Sequence, residues 1–264
     1  MHTSASDGTW SPDELVREII RAGIKIFSVT DHDSVENTEA VAHLAKEKDL
    51  TCIRGVEINT YREGMAFHIL GYNIDIKNKN LNGVLVHNRS FFEKRNENSI
   101  EILAEAGLPV SPEEYRGYVN NPKRGGWKAL NYLLDKNLCK NYKDFFGLFE
   151  GKKALLSMSG CVRPERAIAA VREAGGIPVL AHPGSGMYHS DYKKTLSAVL
   201  DMGIAGIECY HIENSEEVTE YSIGFCRENR LFITGGSDCH GDFVKERRLG
   251  KPDIDTNQLV LWDL

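Results

Sequence analysis

Runs of β-branched and aromatic residues alternate along the chain with segments whose apolar residues recur every three or four positions. The first such segment begins at Ser11, which can cap a helix, followed by Pro12 in the first turn and by Glu14, which can close a capping box. Its helical spacing ends at Gly23, and the β-rich run Ile24–Val29 follows. The chain therefore opens with a predicted helix and a predicted strand.

The same unit recurs further on. Strands are predicted at Thr51–Val56, Phe67–Tyr72, Ile177–Ala181, Gly206–His211 and Leu231–Thr234. A helical pattern precedes each of these strands except Phe67–Tyr72. Strands separated by helical segments are typical of parallel β/α units with right-handed crossovers, so we expect an α/β fold.

Residues 78–158 interrupt this rhythm. They are rich in Asn and aromatic residues, their apolar spacing is helical, and they contain no convincing strand pattern. We therefore expect a mostly helical insertion subdomain at 78–158, between two parts of one barrel at 1–77 and 159–264.

Composition narrows the function classes. The 264 residues are 41% hydrophobic and 27% charged, which is ordinary for a globular protein. No apolar run reaches the roughly 20 residues that span a bilayer, and the N-terminus resembles no secretory signal. Six cysteines without a CxxC pair indicate reduced thiols, so we expect a soluble cytoplasmic protein with no membrane partner. The net charge of −6 argues against binding long duplex nucleic acid.

Ionisable side chains follow several of the predicted strands. His68 lies within one strand, and five others come directly after strand-like runs: His32, Glu57, His182, Asp238 and His240. The ends of parallel barrel strands converge on one face, so these side chains are expected to meet there. Imidazole and carboxylate without a thiolate pair predict a nitrogen and oxygen site for Zn²⁺, Mn²⁺ or Fe.

Each of these residues also has an ordinary structural interpretation. A single histidine after a strand is more often a hydrogen-bonded surface group than a ligand, and Asp31-His32-Asp33 alone would be a helix cap. The coincidence of several independent strand ends favours the metal site, because burying unrelated charges together is costly. Three other histidines are expected to be surface residues: His43, His87 and His189. Cys239 is expected to be a packing residue rather than a nucleophile.

These residues lie in ordered motifs that resemble the PHP (polymerase and histidinol phosphatase) family. The motifs are His2–Thr9, Thr30-Asp31-His32-Asp33, Gly55-Val56-Glu57, His68, Ala181-His182-Pro183 and Gly236–Gly241. The likeness is greatest to the stand-alone phosphoesterase branch with a helical insertion. It implies a distorted (β/α)7 TIM-like barrel and a cluster of two or three divalent metal ions (Mn, Fe or Zn).

The resemblance also implies a division of the ligands. Glu57 would bridge two metals, with His2 and Asp238 completing the first. The second would take His68 and His182 beside Glu57. The third would be held by Asp7, His32 and His240.

The sequence departs from the family at its start. The family begins with a strand and a His-x-His motif, whereas here Met1 occupies the middle position of that motif. The first strand and first histidine are therefore absent from this sequence: either the chain start is placed too late, or the protein lacks one ligand of its first metal. We expect an unfilled barrel seam and a weakened first metal site, patched by water, by the N-terminal amine or by an added residue.

The resemblance implies a hydrolase acting on a small phosphomonoester through a hydroxide shared by two metals. A nucleotide substrate is expected, either AMP-like or a 3′,5′-nucleoside bisphosphate, because the insertion places Trp127 beside basic residues. Lys123 and Arg124 are predicted phosphate donors, with Arg124 as the preferred clamp, although this loop could equally be solvated. His211, at another strand end, could bind phosphate, protonate the leaving group or make a structural hydrogen bond.

Three alternatives stay open. The chain could be a histidinol phosphatase, or an amidohydrolase-like enzyme that uses the same metals on a C–N bond. It could also be a metal-binding accessory protein whose activity is impaired by loss of the first histidine. The sequence gives no indication of oligomeric state.

Overall fold

The computed structural model describes residues 1–150, 156–188 and 191–261. Six strands form one sheet in the order in which they occur along the chain. They are β1 (Ile26–Val29), β2 (Thr51–Arg62), β3 (Met65–Tyr72), β4 (Ile177–Leu180), β5 (Gly206–Tyr210) and β6 (Phe232–Gly235). All six lie at predicted strand positions, and the fold class is α/β.

The third strand runs against its neighbours. β3 pairs antiparallel with both β2 and β4, whereas the β1–β2, β4–β5 and β5–β6 pairs are parallel. Glu63 and Gly64 connect β2 to β3 with φ of 52° and 89°. Two consecutive positive φ values are those of a tight hairpin turn, which joins antiparallel strands directly. The expectation of uniformly parallel units is therefore wrong at β3.

The sheet has an open side between its first and last strands. Among the described residues, β1 and β6 do not pair, and a cavity of about 360 Å³ lies between them, lined by Phe27 and Ile254 among others. The first two residues of the chain bridge the strand ends: the Met1 carbonyl accepts from Thr30 N, and His2 N donates to the Cys239 carbonyl. The described residues thus form a six-stranded open sheet, and a closed (β/α)7 barrel is not confirmed.

Nine α-helices occur in the described part of the chain. They are α1 (Pro12–Arg21), α2 (Thr38–Lys46), α3 (Lys79–Glu105), α4 (Pro112–Gly117), α5 (Lys128–Asp135), α6 (Tyr142–Gly147), α7 (Pro164–Glu173), α8 (Tyr192–Asp201) and α9 (Glu216–Asn229). The capping box predicted for the first helix is confirmed, since Ser11 accepts from Glu14 N and the Glu14 carboxylate accepts from Ser11 N. No helix of the described ranges is both long and apolar enough to cross a membrane.

The described residues between β3 and α7 form helices and turns but no strand; residues 151–155 of the predicted insertion lie outside the described part. The division into a barrel and an insertion subdomain stays a prediction. The long helix α3 takes part in two apolar clusters. Leu81 and Leu85 pack with α7 in the central core, whereas Ile100 and Leu103 pack with Leu130 in a second cluster.

A buried amide ties α3 to the strand ends. Asn88 donates to Asp33 Oδ1 and to the Asn59 carbonyl, both at 2.7 Å, and accepts from Val162 N at 3.0 Å. Asn59 donates to Asp33 from its backbone and from its side chain. One side chain therefore holds the helix, the β2 strand and the loop after β1 together.

We predict that Asn88→Ala lowers the free energy of unfolding by about 2–4 kcal/mol, because several buried polar groups lose their partner together. Urea denaturation followed by circular dichroism measures this. Asn98→Ala is the matched control, since Asn98 is an exposed residue of the same helix. Equal stability of the two variants would contradict the role given to Asn88.

Candidate metal centre

Ionisable side chains from distant parts of the chain meet at one end of the sheet. The N-terminal loop supplies His2 and Asp7, and the loop after β1 supplies His32. β2 and β3 supply Glu57 and His68. The segments after β4, β5 and β6 supply the remaining groups: His182, His211, Asp238 and His240. Glu57 lies inside β2, which continues to Arg62, rather than after a strand as expected. Its backbone pairs with the loop after β1, since Glu57 N donates to the Asp31 carbonyl and Asp33 N donates to the Glu57 carbonyl, which places Glu57 beside His32.

Glu57 lies at the centre of the cluster and is buried. Its Oε1 is 2.6 Å from His68 Nδ1 and 3.4 Å from His182 Nε2. Its Oε2 is 3.3 Å from His2 Nε2, and that nitrogen is 2.8 Å from Asp238 Oδ1. One carboxylate therefore faces three imidazoles with both of its oxygens.

Three groups of side chains bring their possible ligand atoms within 4.8 Å of one another: His2, Asp7, His32 and His240; His32, Glu57 and His68; and His2, Glu57 and Asp238. The last has the membership predicted for the first metal. The first contains the predicted third site together with His2. In the middle group His32 stands where His182 was expected, although His182 Nε2 lies 3.2 Å from His68 Nδ1. The assignment of ligands to individual ions stays a prediction.

Burial and mutual contact shift the pKa values of these groups in opposite directions. Burial disfavours a charged ring, yet hydrogen bonds to Asp238 and Glu57 raise the pKa of His2 to about 10. Likewise, Glu57 raises the pKa of His182 to about 9 against the effect of burial. Burial prevails at His32 and lowers its pKa to about 3. Burial opposes ionisation of Glu57 too, but the surrounding imidazoles hold its pKa well below the usual value.

The donor set fits divalent cations. His32 Nδ1 is buried and has no hydrogen-bond partner among the described residues. Buried polar atoms are normally paired, so this nitrogen is suited to a ligand. The donors are imidazole and carboxylate, which zinc, manganese and iron accept. Cys239 is buried, and its sulfur accepts from Gly241 N, in keeping with its predicted packing role.

Asp31, within the Thr30–Asp33 motif, is a buried aspartate that orders the N-terminal loop, a role that no sequence pattern indicated. Asp31 accepts from Thr3 N and Thr3 Oγ1, each at 2.7 Å, and from Ser6 Oγ at 2.6 Å. These bonds hold the loop between His2 and Asp7. The cluster of short polar residues at Thr3–Ser6 was an available signal, but its partner 25 positions away could not be read from it.

A cavity of about 770 Å³ adjoins the cluster. It is lined by Asp7 and His32 on one side and by Arg89, Phe92, Arg95 and Trp127 on the other. The Arg95 guanidinium carbon lies 4.6 Å from the centroid of the Phe92 ring, over its face. The cavity therefore joins candidate metal ligands to cations and aromatic rings of the helical segment.

The predicted substrate residues fall in different places. Trp127 lines the cavity, and its buried Nε1 has no acceptor among the described residues. Arg124 Nη1 instead donates to Asp135 at 2.6 Å, and Lys123 Nζ donates to Glu14 at 3.4 Å. Neither cation lines the cavity.

The glycines beside Arg124 contact protein rather than an open anion site. Gly126 N donates to the Asp7 carbonyl at 2.8 Å. Both Gly125 and Gly126 have positive φ, and a Cβ on Gly125 would lie 2.5 Å from Phe243 Cβ. Their close approach therefore fixes the position of the loop that carries Asp7.

His211 faces the cluster in a defined tautomer. Its Nδ1 accepts from Glu213 N at 3.1 Å, so the proton of a neutral ring is on Nε2. Nε2 is buried and lies 3.7 Å from Asp238 Oδ2. His43 and His87 are exposed, as predicted, and His189 lies outside the described residues.

The chain is similar to known proteins over most of its length. The chain matches the PHP domain family over residues 1–162. It is 28% identical over 246 residues to a 5′-3′ exoribonuclease of Haemophilus influenzae, covering 90% of this chain and 88% of that protein. It is 25% identical over 261 residues to a 3′,5′-nucleoside bisphosphate phosphatase of Chromobacterium violaceum, covering 94% of this chain and 88% of the other. The fold is similar to that of a protein described as a metal-dependent phosphoesterase of Bifidobacterium adolescentis, with a TM-score of 0.79, 24% identity and coverage of 97% and 91%.

We predict that Mn²⁺ binding tightens as the pH rises from 6 to 8. His2 and His182, with pKa values of about 10 and 9, hold protons in the metal-free protein and must release them to act as ligands. The apparent affinity should rise about tenfold per pH unit for each proton released. Calorimetry in two buffers of different ionisation enthalpy counts these protons. An affinity independent of pH would contradict the protonated state given to the two rings.

Glu57→Gln should reduce metal binding more than any change outside the cluster, because Glu57 contributes to two of the three ligand groups. The expected loss of affinity is at least about 100-fold, above the range of about 10–100-fold found for residues that only support a ligand. Metal content after dialysis measures it. Glu63→Gln, in the exposed turn of the same hairpin, is the control and should keep full metal content.

Proposed function

Because this chain belongs to the PHP domain family, we propose that it is a metal-dependent phosphoesterase whose substrate is a small nucleotide, either AMP-like or a 3′,5′-nucleoside bisphosphate. The observation that carries this proposal is the cavity shared by Asp7 and His32 with the cations and aromatic rings of the helical segment. Its volume of about 770 Å³ is within the roughly 300–1,000 Å³ of small-molecule sites.

Cations in the cavity support a substrate with more than one anionic group. Arg89 lines it and donates from Nη1 to the Asp33 carbonyl, which holds the guanidinium beside the loop of His32. A planar guanidinium suits a phosphate that remains on the product as well as one that is transferred. Arg124 stays a predicted clamp, and it would have to leave Asp135 to reach the cavity.

Aromatic groups in the cavity support a base. Phe92 and Trp127 both line it. Stacking on aromatic rings contributes about 1–3 kcal/mol per base. A histidinol phosphate has an imidazole but no second phosphate, so it would use fewer of these groups.

The resident metals would be held by the eight predicted ligands: His2, Asp7, His32, Glu57, His68, His182, Asp238 and His240. Divalent ions in such a site generate a nucleophile from water at neutral pH and offset charge on phosphoryl oxygens. His211 contributes a proton donor, because its Nδ1 is occupied by Glu213 N and its Nε2–H faces the cluster. We propose that this proton stabilises the phosphate or passes to the leaving oxygen.

A second candidate is the 5′ end of a short RNA. The relative from Haemophilus influenzae bears an exoribonuclease name, and the cavity lining continues past Trp127 to Lys128 and to Arg116, whose guanidinium pairs with Glu97 of the same lining. Such a groove suits single strands, whereas the net charge of −6 still disfavours long duplexes.

We expect phosphate release from nucleoside mono- and bisphosphates to exceed release from histidinol phosphate by at least tenfold in kcat/KM, a difference of about 1.4 kcal/mol in transition-state binding. A malachite green assay on the manganese-loaded protein measures it. Preference for histidinol phosphate would support that alternative. Hydrolysis of amides but not of phosphate esters would support the amidohydrolase-like alternative. Metal binding without turnover would support the alternative of a metal-binding accessory protein. Faster release from short oligonucleotides than from mononucleotides would favour the RNA candidate.

Arg89→Ala should raise KM for a 3′,5′-nucleoside bisphosphate by about 10- to 100-fold, the equivalent of one or two charge-assisted hydrogen bonds. It should leave KM for phenyl phosphate unchanged, because that substrate has no second phosphate. Arg124→Ala is measured in parallel. A larger increase in KM for the bisphosphate in Arg124→Ala than in Arg89→Ala would assign the phosphate clamp to Arg124 instead.

A further inference from the structure

An arginine outside the predicted motifs lies against the metal-ligating cluster. Arg247 belongs to the segment after β6, and its side chain is only 23% exposed. Its Nη1 pairs with Asp238 Oδ2, and its Nη2 pairs with Glu213 Oε1. Nothing in the proposed use of the cavity depends on this guanidinium, which does not line that cavity.

The two carboxylates bound by Arg247 differ in what else they do. Asp238 also meets His2 at 2.8 Å and belongs to a group that could hold a cation. Glu213 belongs to none of the metal-ligating groups of the described residues. A divalent cation at Asp238 competes with the guanidinium for the same carboxylate, since both are positive. Glu213 would then keep Arg247 at the edge of the cluster while Nη1 loses its partner.

A second donor points to the same place. His211 Nε2 lies 3.7 Å from the same Asp238 oxygen that Arg247 approaches, and Glu213 N fixes the tautomer that puts a proton there. An oxyanion beside Asp238 would therefore lie near a guanidinium and an imidazole N–H together. Two converging donors, one of them a planar fork, are the arrangement that binds a phosphoryl group.

We propose that Arg247, anchored by Glu213, is the residue that binds the reacting phosphoryl group once Asp238 is engaged by a metal. The inference rests on the proposed phosphoesterase function and adds a binding residue to it. Arg247 acts on the phosphoryl group itself, whereas the cations of the cavity act on the remainder of the substrate.

The test uses inorganic phosphate as the probe. Binding of phosphate to the manganese-loaded full chain is measured by calorimetry for the wild type, Arg247→Ala, Arg247→Lys and Arg248→Ala, with metal content determined for each. Arg248 is the matched control, because it is an exposed neighbour whose Nε donates to the Lys245 carbonyl.

Arg247→Ala should weaken phosphate binding by about 10- to 100-fold with unchanged metal content, and Arg248→Ala should leave it unchanged. The phosphate affinity of Arg247→Lys should lie between those of the wild type and the alanine variant. If the alanine variant does not fold, Arg247→Lys alone is used for the test. Wild-type phosphate affinity in both Arg247 variants would overturn the proposal, as would a loss that only parallels lost metal.

Hydrolysis is measured separately, so that a failure of the proposed function can be distinguished from a failure of the role given to Arg247. Wild-type protein that binds phosphate through Arg247 but hydrolyses no phosphate ester would refute the proposed function and leave this inference standing. Hydrolysis together with phosphate binding that is indifferent to Arg247 would refute the inference alone.

Discussion

The contact of the Glu57 carboxylate with three imidazoles is the constraint on which the rest of the site depends. A buried carboxylate is stable only when charge or hydrogen bonds compensate it. Here His2, His68 and His182 do so, and each comes from a different part of the chain. The N-terminal loop, the hairpin and the segment after β4 must therefore all be in place for this carboxylate to be accommodated.

Much of this arrangement could be predicted from the sequence. Strand runs and turn residues located all six strands, and the strand-end positions identified the residues that meet around Glu57. The antiparallel course of β3 could not be predicted, because a run such as Phe67–Tyr72 has the same pattern in either direction. Its direction is decided by Glu63 and Gly64, whose positive φ values produce a hairpin.

The placement of the substrate residues was harder to predict for a different physical reason. The pattern Lys123-Arg124-Gly125-Gly126 is compatible with an anion loop, but neighbouring carboxylates decide where each cation points. Asp135 holds Arg124, and Glu14 holds Lys123. No motif marked Arg247, whose partners Asp238 and Glu213 lie 9 and 34 positions before it in the sequence. Pairings of this kind depend on tertiary structure and have no local signature.

The continuity of α3 has a consequence for how the cavity selects its occupant. This helix has 27 residues, a length of about 40 Å at the usual rise per residue, and it anchors one end in the central core and the other in the second apolar cluster. Arg89 and Phe92 lie between those two ends, and the adjacent Asn88 is hydrogen-bonded to Asp33 and to the Asn59 carbonyl. A wall fixed on both sides does not swing over a ligand. Arg89 and Phe92 therefore present a preformed arrangement of charge and aromatic surface to whatever occupies the cavity.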